Sequence, residues 1–322
     1  MQTETRSEQT LGAGDSPAIE FEGLTKSYRA DVKALDSLTL TVPQGEIFGF
    51  LGPNGAGKTT TIRTMLDLIR PTSGSVRIFG ENCNDGSAAV RGRVGYLPGD
   101  LSVYPNMNGR DVVDLFASLR PGHVREEWVR ELADRLSLDL RAKSRELSHG
   151  NKQKVGIVLA LMVEPDLIIL DEPTSGLDPL AQRTVLEILH EMNRRGATVF
   201  ISSHNLTEVE RICHRVGMIR MGKLIAVKEI EEVVSQRMIA ISVTFDSLPP
   251  DGAFANLDGV RETGTHDDGK QITFEAVGEV DALIKAIATH RVLAIESVQP
   301  SLEEEFMALY EGDATQGAGS DA

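Results

Sequence analysis

One loop, Gly52–Thr59, constrains this chain more than any other feature of its sequence. It reads GPNGAGKT and fits the pattern G-x-x-x-x-G-K-[ST] of phosphate-binding loops. The apolar run Ile47–Leu51 precedes it, and the helical pattern Thr59–Ile69 follows it, as that pattern requires. Glycines let several backbone N–H groups point inward, and the helix adds the positive end of its dipole. The loop therefore predicts a fixed cradle for phosphate oxygens.

Two side chains of the loop have predicted roles of their own. Lys58 would reach the β and γ phosphates of a nucleotide, and the Thr59 hydroxyl would hold Mg²⁺. A loop of this kind occurs in many classes of nucleotide-binding protein, so it does not name the reaction. The residues expected to contact the nucleotide are Gly52, Pro53, Asn54, Gly55, Ala56, Gly57, Lys58, Thr59 and Thr60.

Composition excludes several classes of protein. Lys and Arg number 33 against 48 Asp and Glu, and the net charge of −15 argues against nucleic acid as the main partner. The longest apolar run, Val155–Val163, is too short to span a bilayer. The polar start Met1–Ser16 lacks the apolar core of a signal peptide, so a soluble or peripheral protein of the cytoplasm is expected. The two cysteines, Cys83 and Cys213, are expected to be reduced and structural.

The order of strand and helix patterns predicts an α/β fold in two domains. Strands and helices alternate up to about Val227, which indicates a mainly parallel sheet, and a separate helical lobe is expected at about 100–163. The domains are expected at 18–228, which binds nucleotide, and at 229–311, a small α+β accessory or regulatory domain resembling a ferredoxin-like fold that ends in a helix at Ser301–Tyr310. Residues 1–17 and 312–322 have the composition of disordered tails.

Two acids follow an apolar run at Leu167–Leu170. A buried strand there would deliver Asp171 to the metal and Glu172 to the water beyond the γ phosphate. The alternative is a strand with an acidic exit turn and no chemistry.

Four further features resemble those of the ATP-binding cassette (ABC) family. The segment Leu147–Asn151 resembles its signature motif, and Ser175–Asp178 resembles its D-loop. His204 falls where that family has its switch histidine, and Tyr28 where it has an aromatic that stacks on adenine. Taken alone, His204 could be a loop histidine, Tyr28 a half-buried strand residue and Ser148 a helix cap. Their common order along the chain is what identifies the family.

The resemblance covers roughly Ile19–Val227 and implies a P-loop NTPase fold that binds ATP and Mg²⁺. In that family two cassettes pair head to tail, so a homodimer is expected. The signature of one protomer would then close on the γ phosphate bound at Lys58 of the other, while Glu172 deprotonates the attacking water and His204 contacts the γ phosphate. The implied signature residues are Ser148, His149, Gly150 and Asn151, and the implied D-loop residue is Asp178.

The chain departs from the family pattern at two positions. A glutamine that contacts metal and water is replaced by Gly99, so either the following Asp100 substitutes for it or the metal keeps an extra water. The signature ends in Asn151 where glutamine is usual, which keeps the carboxamide. Both variants resemble those of type-2 ABC exporters of the antibiotic and daunorubicin-resistance group, and the segment Ser301–Phe306 resembles the end of their accessory domain.

The resemblance implies an ATPase subunit, peripheral on the inner face of the cell membrane, that energises a separately encoded permease. Export of a drug, lipid or other hydrophobic compound is the expected task. The alternative is a soluble ABC switch that acts on a macromolecular partner such as the ribosome or DNA. Such proteins usually carry two cassettes or long coiled-coil insertions, and the sequence has neither.

Overall fold

The computed structural model describes residues 16–29, 32–83, 88–102, 104–119, 124–235, 238–250, 252–255, 257, 259–266, 270–277 and 280–298. Packing divides the chain into two compact units, Met1–Ala226 and Val227–Ala322. The expected helix at Ser301–Tyr310, the expected tail 312–322 and most of the expected tail 1–17 lie outside the described residues. The domain limits 18–228 and 229–311 stay predictions.

The first unit contains the strands and helices up to β10, whose last residues, Val227–Glu229, fall in the second unit. They are β1 (Ile19–Arg29), β2 (Val32–Val42), β3 (Ile47–Leu51), α1 (Lys58–Met65), β4 (Ser73–Ile78), β5 (Glu81–Asn82), α2 (Ala88–Gly92), β6 (Val94–Leu97), α3 (Gly109–Leu119), α4 (Glu126–Arg135), α5 (His149–Leu161), β7 (Leu167–Asp171), α6 (Pro179–Arg194), β8 (Thr198–Ser203), α7 (Leu206–Glu210), β9 (Arg215–Arg220) and β10 (Lys223–Glu229). Helix α1 ends earlier than the pattern Thr59–Ile69 predicts, because Asp67 adopts a left-handed backbone with φ of 57°.

A six-stranded sheet carries the order β10-β9-β3-β8-β7-β6. The pairs that join β9, β3, β8, β7 and β6 are all parallel. Every residue of β3, β7 and β8 is buried, which is typical of central parallel strands covered on both faces. The register pairs Asp171 with Ser202 and Leu51 with Ser203, so the carboxyl ends of three neighbouring strands meet at one edge.

A second sheet in this unit is antiparallel, with the order β2-β1-β4-β5. The expectation of a mainly parallel sheet was therefore incomplete. In β2 the buried residues alternate at Leu38, Leu40 and Val42, as in a sheet with one face on the core. The short β5 and the half-buried β10 give little periodic signal and were not predicted.

Three helices, α3, α4 and α5, occupy the region expected to form the helical lobe. Helix α5 is buried from Gln153 to Leu161, so it is the central helix of this region rather than a surface one. Trp128 of α4 is buried and donates its indole N–H to the carbonyl of Leu161, 3.0 Å away. This contact joins α4 to the end of α5.

The second unit contains α8 (Ile230–Ser235), β11 (Met238–Phe245), β12 (Val260–His266), β13 (Gln271–Val277), α9 (Asp281–Ile287) and β14 (Val292–Val298). Its antiparallel sheet has the order β12-β13-β11-β14 around a core that includes Val243, Phe245 and Phe274. This is the strand order of a ferredoxin-like sheet. The described residues between β11 and β12 form turns instead of the first crossover helix, so the ferredoxin-like assignment stays a prediction.

Candidate active site

The loop Gly52–Thr59 lies at the carboxyl edge of the parallel sheet, where β3 ends and α1 begins. The Gly52 N–H donates to the carbonyl of Ser203 at the end of β8, 3.2 Å away. Gly57 has φ of 116°, and a Cβ there would lie 2.8 Å from the carbonyl oxygen of Ala34. Glycine is therefore needed at Gly57 both for its backbone conformation and for its close packing. The loop is held by the strands on either side of it.

Lys58 joins this loop to the end of β7. Its side chain is buried, with its ammonium 2.6 Å from the carbonyl oxygen of Gly52 and 3.3 Å from that of Pro53. The same ammonium forms an ion pair with Glu172, 3.1 Å from Oε1. Lys58, which is expected to contact the phosphates, is therefore in direct contact with Glu172, which is expected to activate water.

Asp171, the last residue of β7, is buried and accepts two hydroxyl hydrogen bonds. Thr59 donates to Oδ2 over 2.8 Å, and Ser202 donates to Oδ1 over 2.6 Å. Carboxylate and hydroxyl oxygens are the ligands that Mg²⁺ prefers. No cluster of three or more His, Cys, Asp or Glu suited to a metal occurs in the described ranges. The chain would therefore offer two oxygens, which suits a metal that takes its other ligands from phosphates and water.

Glu172 follows directly and is held in an uncommon backbone conformation, with φ of 52°. Its N–H lies 3.2 Å from the Ser202 carbonyl oxygen and 3.1 Å from the Ser202 hydroxyl. Its Oε2 lies 2.6 Å from Nδ1 of His204, whose ring is half exposed. Because an ionised carboxylate only accepts, we assign the proton of this bond to Nδ1. The carboxylate lies between a lysine and an imidazole.

The signature segment Ser148–Asn151 opens helix α5. The Ser148 hydroxyl accepts the N–H of Asn151 over 3.2 Å and so caps the helix. A Cβ on Gly150 would lie 2.6 Å from the carbonyl oxygen of Gly176, and the ring of His149 packs against Gly176 as well. Within the described part of the chain, no hydrogen bond or ion pair joins this segment to the loop residues 52–60.

Asp178 caps helix α6. Its Oδ1 accepts the N–H of Ala181 over 2.9 Å, and this bond lowers the pKa of the Asp178 carboxyl below its usual range. Lys154 of α5 approaches its other oxygen at 4.0 Å. The signature and the D-loop therefore lie side by side.

The remaining expected residues are exposed. Tyr28 lies near the end of β1, with the Lys26 ammonium 5.4 Å from its ring centre. A Cβ on Gly99 would lie 3.2 Å from Oδ2 of Asp171, so this position does border the expected metal ligand. The side chain of Asp100 is exposed and has no hydrogen bond or ion pair among the residues described.

Two residues of the site were not predicted, Ser202 and Gln153. Ser202 contacts both acids, and the signal that could have identified it is its place at the carboxyl end of the strand beside β7. Gln153 is buried in α5 and donates to the carbonyl oxygens of Glu172 and Pro173, at 3.1 and 3.3 Å. In the sequence Gln153 stands between Lys152 and Lys154, ahead of the apolar run Val155–Val163, so no pattern marks it as buried.

Comparison with known proteins identifies the family. The ABC transporter profile matches residues 35–175. The bacitracin transport ATP-binding protein BcrA of Bacillus licheniformis is 34% identical over 305 residues, which cover 92% of this chain and 98% of that protein. This chain belongs to the ABC transporter ATP-binding proteins. It is an ATP-binding ATPase subunit of that family, as the signature and the phosphate loop implied.

Other ABC relatives and structures agree with this assignment. The ABC transporter ATP-binding protein YcbN of Bacillus subtilis is 35% identical over 92% of this chain and 98% of its own. The probable multidrug ABC transporter ATP-binding protein YbhF of Escherichia coli is 36% identical over 67% of this chain, but only 38% of its own length.

A solved ATP-binding subunit of an ABC transporter has a TM-score of 0.62 and 32% identity, covering 67% of this chain and 91% of that one. A dimeric bacterial ABC transporter cassette, at 24% identity and a TM-score of 0.61 over 66% of this chain and 98% of its own, shares the fold. The α/β cassette fold is thereby confirmed. No helix in the described ranges of this ABC cassette is both long and apolar enough to cross a membrane.

Proposed function

We propose that two copies of this ABC cassette hydrolyse Mg-ATP at their shared interface and so power export through a separately encoded membrane permease. The observation that carries the proposal is the cluster of Lys58, Thr59, Asp171, Glu172 and His204 at the carboxyl edge of the sheet. A protein that only binds nucleotide needs the first three of these. The last two supply a base and a polar partner for it.

ATP binding would use the phosphate loop, an aromatic ring and two metal ligands. Backbone N–H groups from Gly52 to Thr60 and the Lys58 ammonium would hold the phosphates, and the exposed ring of Tyr28 would stack on adenine. The oxygens of Thr59 and Asp171 would hold Mg²⁺, and the exposed Asp100 is the further candidate ligand. Bound there, the cation would neutralise charge on the β and γ phosphates.

Hydrolysis uses Glu172 as the general base. Its carboxylate would orient the attacking water and take its proton, while His204 holds the carboxylate through Nδ1 and faces the γ phosphate. Lys58 offsets the charge that develops on the transferred phosphoryl group. The chemistry is mostly positioning and electrostatic stabilisation.

The signature supplies the second half of the site from another copy of the chain. Ser148 is exposed at the start of α5, where a hydroxyl and helix N-terminal amides can cap a polyanion. Among the described residues, no hydrogen bond or ion pair joins those groups to the phosphate loop of their own chain. A homodimer that contains ATP at its interface would bring them together, in line with the dimeric cassette that shares the fold.

The permease and the inner face of the membrane belong to the same proposal. BcrA is named for bacitracin transport and YbhF for multidrug transport, which favours export of a drug or another hydrophobic compound. Nucleic acid is not an expected partner, because the chain carries a net charge of −15.

The test is Glu172→Gln, compared with Glu208→Gln as a control. Glu208 is a nearby carboxylate that accepts the Ser203 hydroxyl over 3.0 Å and has no proposed chemical role. We expect Glu172→Gln to keep ATP affinity while ATP turnover falls about a hundredfold or more, and to form a dimer with Mg-ATP in sizing experiments. Glu208→Gln should stay within about threefold of the parent in turnover.

Transport is tested in cells from which the gene for this protein has been deleted. The parent chain should restore resistance to a panel of hydrophobic antibiotics that includes bacitracin, and Glu172→Gln should not. Turnover by Glu172→Gln close to that of the parent would remove Glu172 from the role of base. Equal resistance with and without the chain would contradict export.

A further inference from the structure

Gln153 is a buried amide whose donors point at the catalytic turn. Its side chain lies in the second turn of α5 and is only 2% exposed. Its Nε2 group donates to the carbonyl oxygens of Glu172 and Pro173, at 3.1 and 3.3 Å. Buried amides require such partners, but this one takes both from the turn that holds the proposed base.

The same turn is held from the opposite side by Ser202. The Glu172 N–H contacts the Ser202 hydroxyl, which in turn donates to Asp171. The peptide units on both sides of Glu172 are therefore fixed, one by β8 and one by α5. Glu172 has a positive φ of 52°, which a residue with a side chain adopts only when its surroundings impose it. These hydrogen bonds provide that constraint.

The first two turns of helix α5 also contact the loop that follows β7. Gly150 packs on the carbonyl oxygen of Gly176, and Lys154 approaches Asp178 at 4.0 Å. The start of α5 and the segment Glu172–Asp178 therefore form one packed unit, in which the proposed base and the signature serine belong to the same body.

We propose that Gln153 is a positioning residue that couples the signature end of α5 to the backbone of Glu172. The inference rests on the proposed ATP-bound homodimer. There, Ser148 caps the nucleotide of the partner subunit, whereas Glu172 acts on the nucleotide of its own subunit. Closure of one site would thus be transmitted through α5 and Gln153 to the base of the other site.

The test compares Gln153→Met with Gln182→Met. Gln182 of α6 donates to the carbonyl oxygens of Thr174 and Leu177, at 3.3 and 3.2 Å, so its substitution removes the same kind of bond from the same loop. For Gln153→Met we expect kcat to fall about tenfold, as a displaced general base implies, while KM for ATP changes less than about twofold. Gln182→Met should change kcat less than about twofold.

A double-mutant cycle tests the coupling itself. Ser148→Ala and Gln153→Met should together lower kcat by less than the product of their separate effects, because both interrupt one path. The same cycle with Ser148 and Gln182 should give independent effects. Melting temperatures of all variants check the fold, and Gln153→Asn, which keeps the donors on a shorter stem, replaces Gln153→Met if that variant unfolds.

The outcomes separate this inference from the proposed function. A kcat for Gln153→Met within about twofold of the parent, an equal loss in Gln182→Met, or effects of Ser148 and Gln153 that multiply would each overturn it. If Glu172→Gln is inactive while Gln153→Met resembles the parent, only the positioning role fails. If Glu172→Gln stays active, the proposed base fails instead.

Discussion

The two halves of the proposed ATP site differ in how far a single chain brings their side chains into contact. The half around Lys58 and Asp171 is buried, and its side chains already contact one another. The half around Ser148 is exposed, and its contacts are local, a helix cap and a close approach to Gly176. The first, finished half is assembled by contacts within the chain, and the second, open half is an exposed helix start with local contacts.

This difference follows from the elements that carry each half. Parallel strands end together, so a loop after β3 and acids after β7 must meet inside the chain. A helix N-terminus points outward unless another element covers it, and α5 begins at the surface. We therefore expect the groups that bind the nucleotide to meet within the monomer, and the groups proposed to close over it to need a second copy of the chain.

The largest expected effect comes from a substitution in the open half alone, Ser148→Asp. Aspartate caps a helix as well as serine does, so Ser148→Asp should keep α5 intact while placing a negative charge against the γ phosphate. We expect ATP turnover to fall about a hundredfold, because like charges brought together cost several kcal/mol, with ATP binding by the monomer unchanged. Steady-state ATPase assays and nucleotide titration measure the two properties.

Ser148→Asn is the matched control, since asparagine is an equally good cap without the charge. It should retain more than about a tenth of the parent turnover. A loss of monomer ATP affinity in Ser148→Asp would contradict the separation of the two halves.

A smaller effect concerns the border of the finished half at Asp100. If its exposed carboxylate supports the metal from one residue beyond Gly99, Asp100→Ala should raise the Mg²⁺ concentration for half-maximal ATPase, by no more than about fivefold at an exposed site. Glu127→Ala removes an exposed charge on α4 and should leave the Mg²⁺ curve unchanged. Identical curves for Asp100→Ala and the parent would mean that the metal keeps a water in its place.

The smallest expected effect is a pH dependence at the D-loop. The hydrogen bond from Ala181 lowers the pKa of Asp178, so its charge stabilises the fold above the unfolded pKa, and this contribution is lost as the pH falls through the lower folded value. Asp178→Asn should lower the melting temperature at pH 7 by about 1 °C. The difference should vanish below the folded pKa of Asp178, and a difference constant with pH would assign it to packing instead.

The finished half was predictable from sequence because its chemistry depends on particular residue types in a fixed order. Lys58, Asp171 and Glu172 follow apolar strands, and those strands end at one edge of the sheet. Ser202 and Gln153 were missed because serine and glutamine are common, and only the strand register and the packing of α5 bring them to the acids.

The fold was predicted in its class but not in all of its strand pairing. The alternating pattern correctly indicated α/β structure, but the pairing of β1 with β2 and β4 depends on contacts between distant segments. Two-residue β5 is too short to show a period, and β10 has a continuous apolar run, Leu224–Val227, in place of an alternating pattern. Sequence patterns specify which segments are strands better than they specify which strands pair.

The ion pair between Lys58 and Glu172 links the residue expected to bind phosphate to the proposed base. The Lys58 ammonium lies 3.1 Å from one oxygen of the Glu172 carboxylate, and Nδ1 of His204 lies 2.6 Å from the other. A triphosphate competes for that ammonium with more negative charge than a single carboxylate carries. A phosphate bound at Lys58 would therefore weaken the ion pair with Glu172, so nucleotide recognition and the freedom of the proposed base depend on the same lysine.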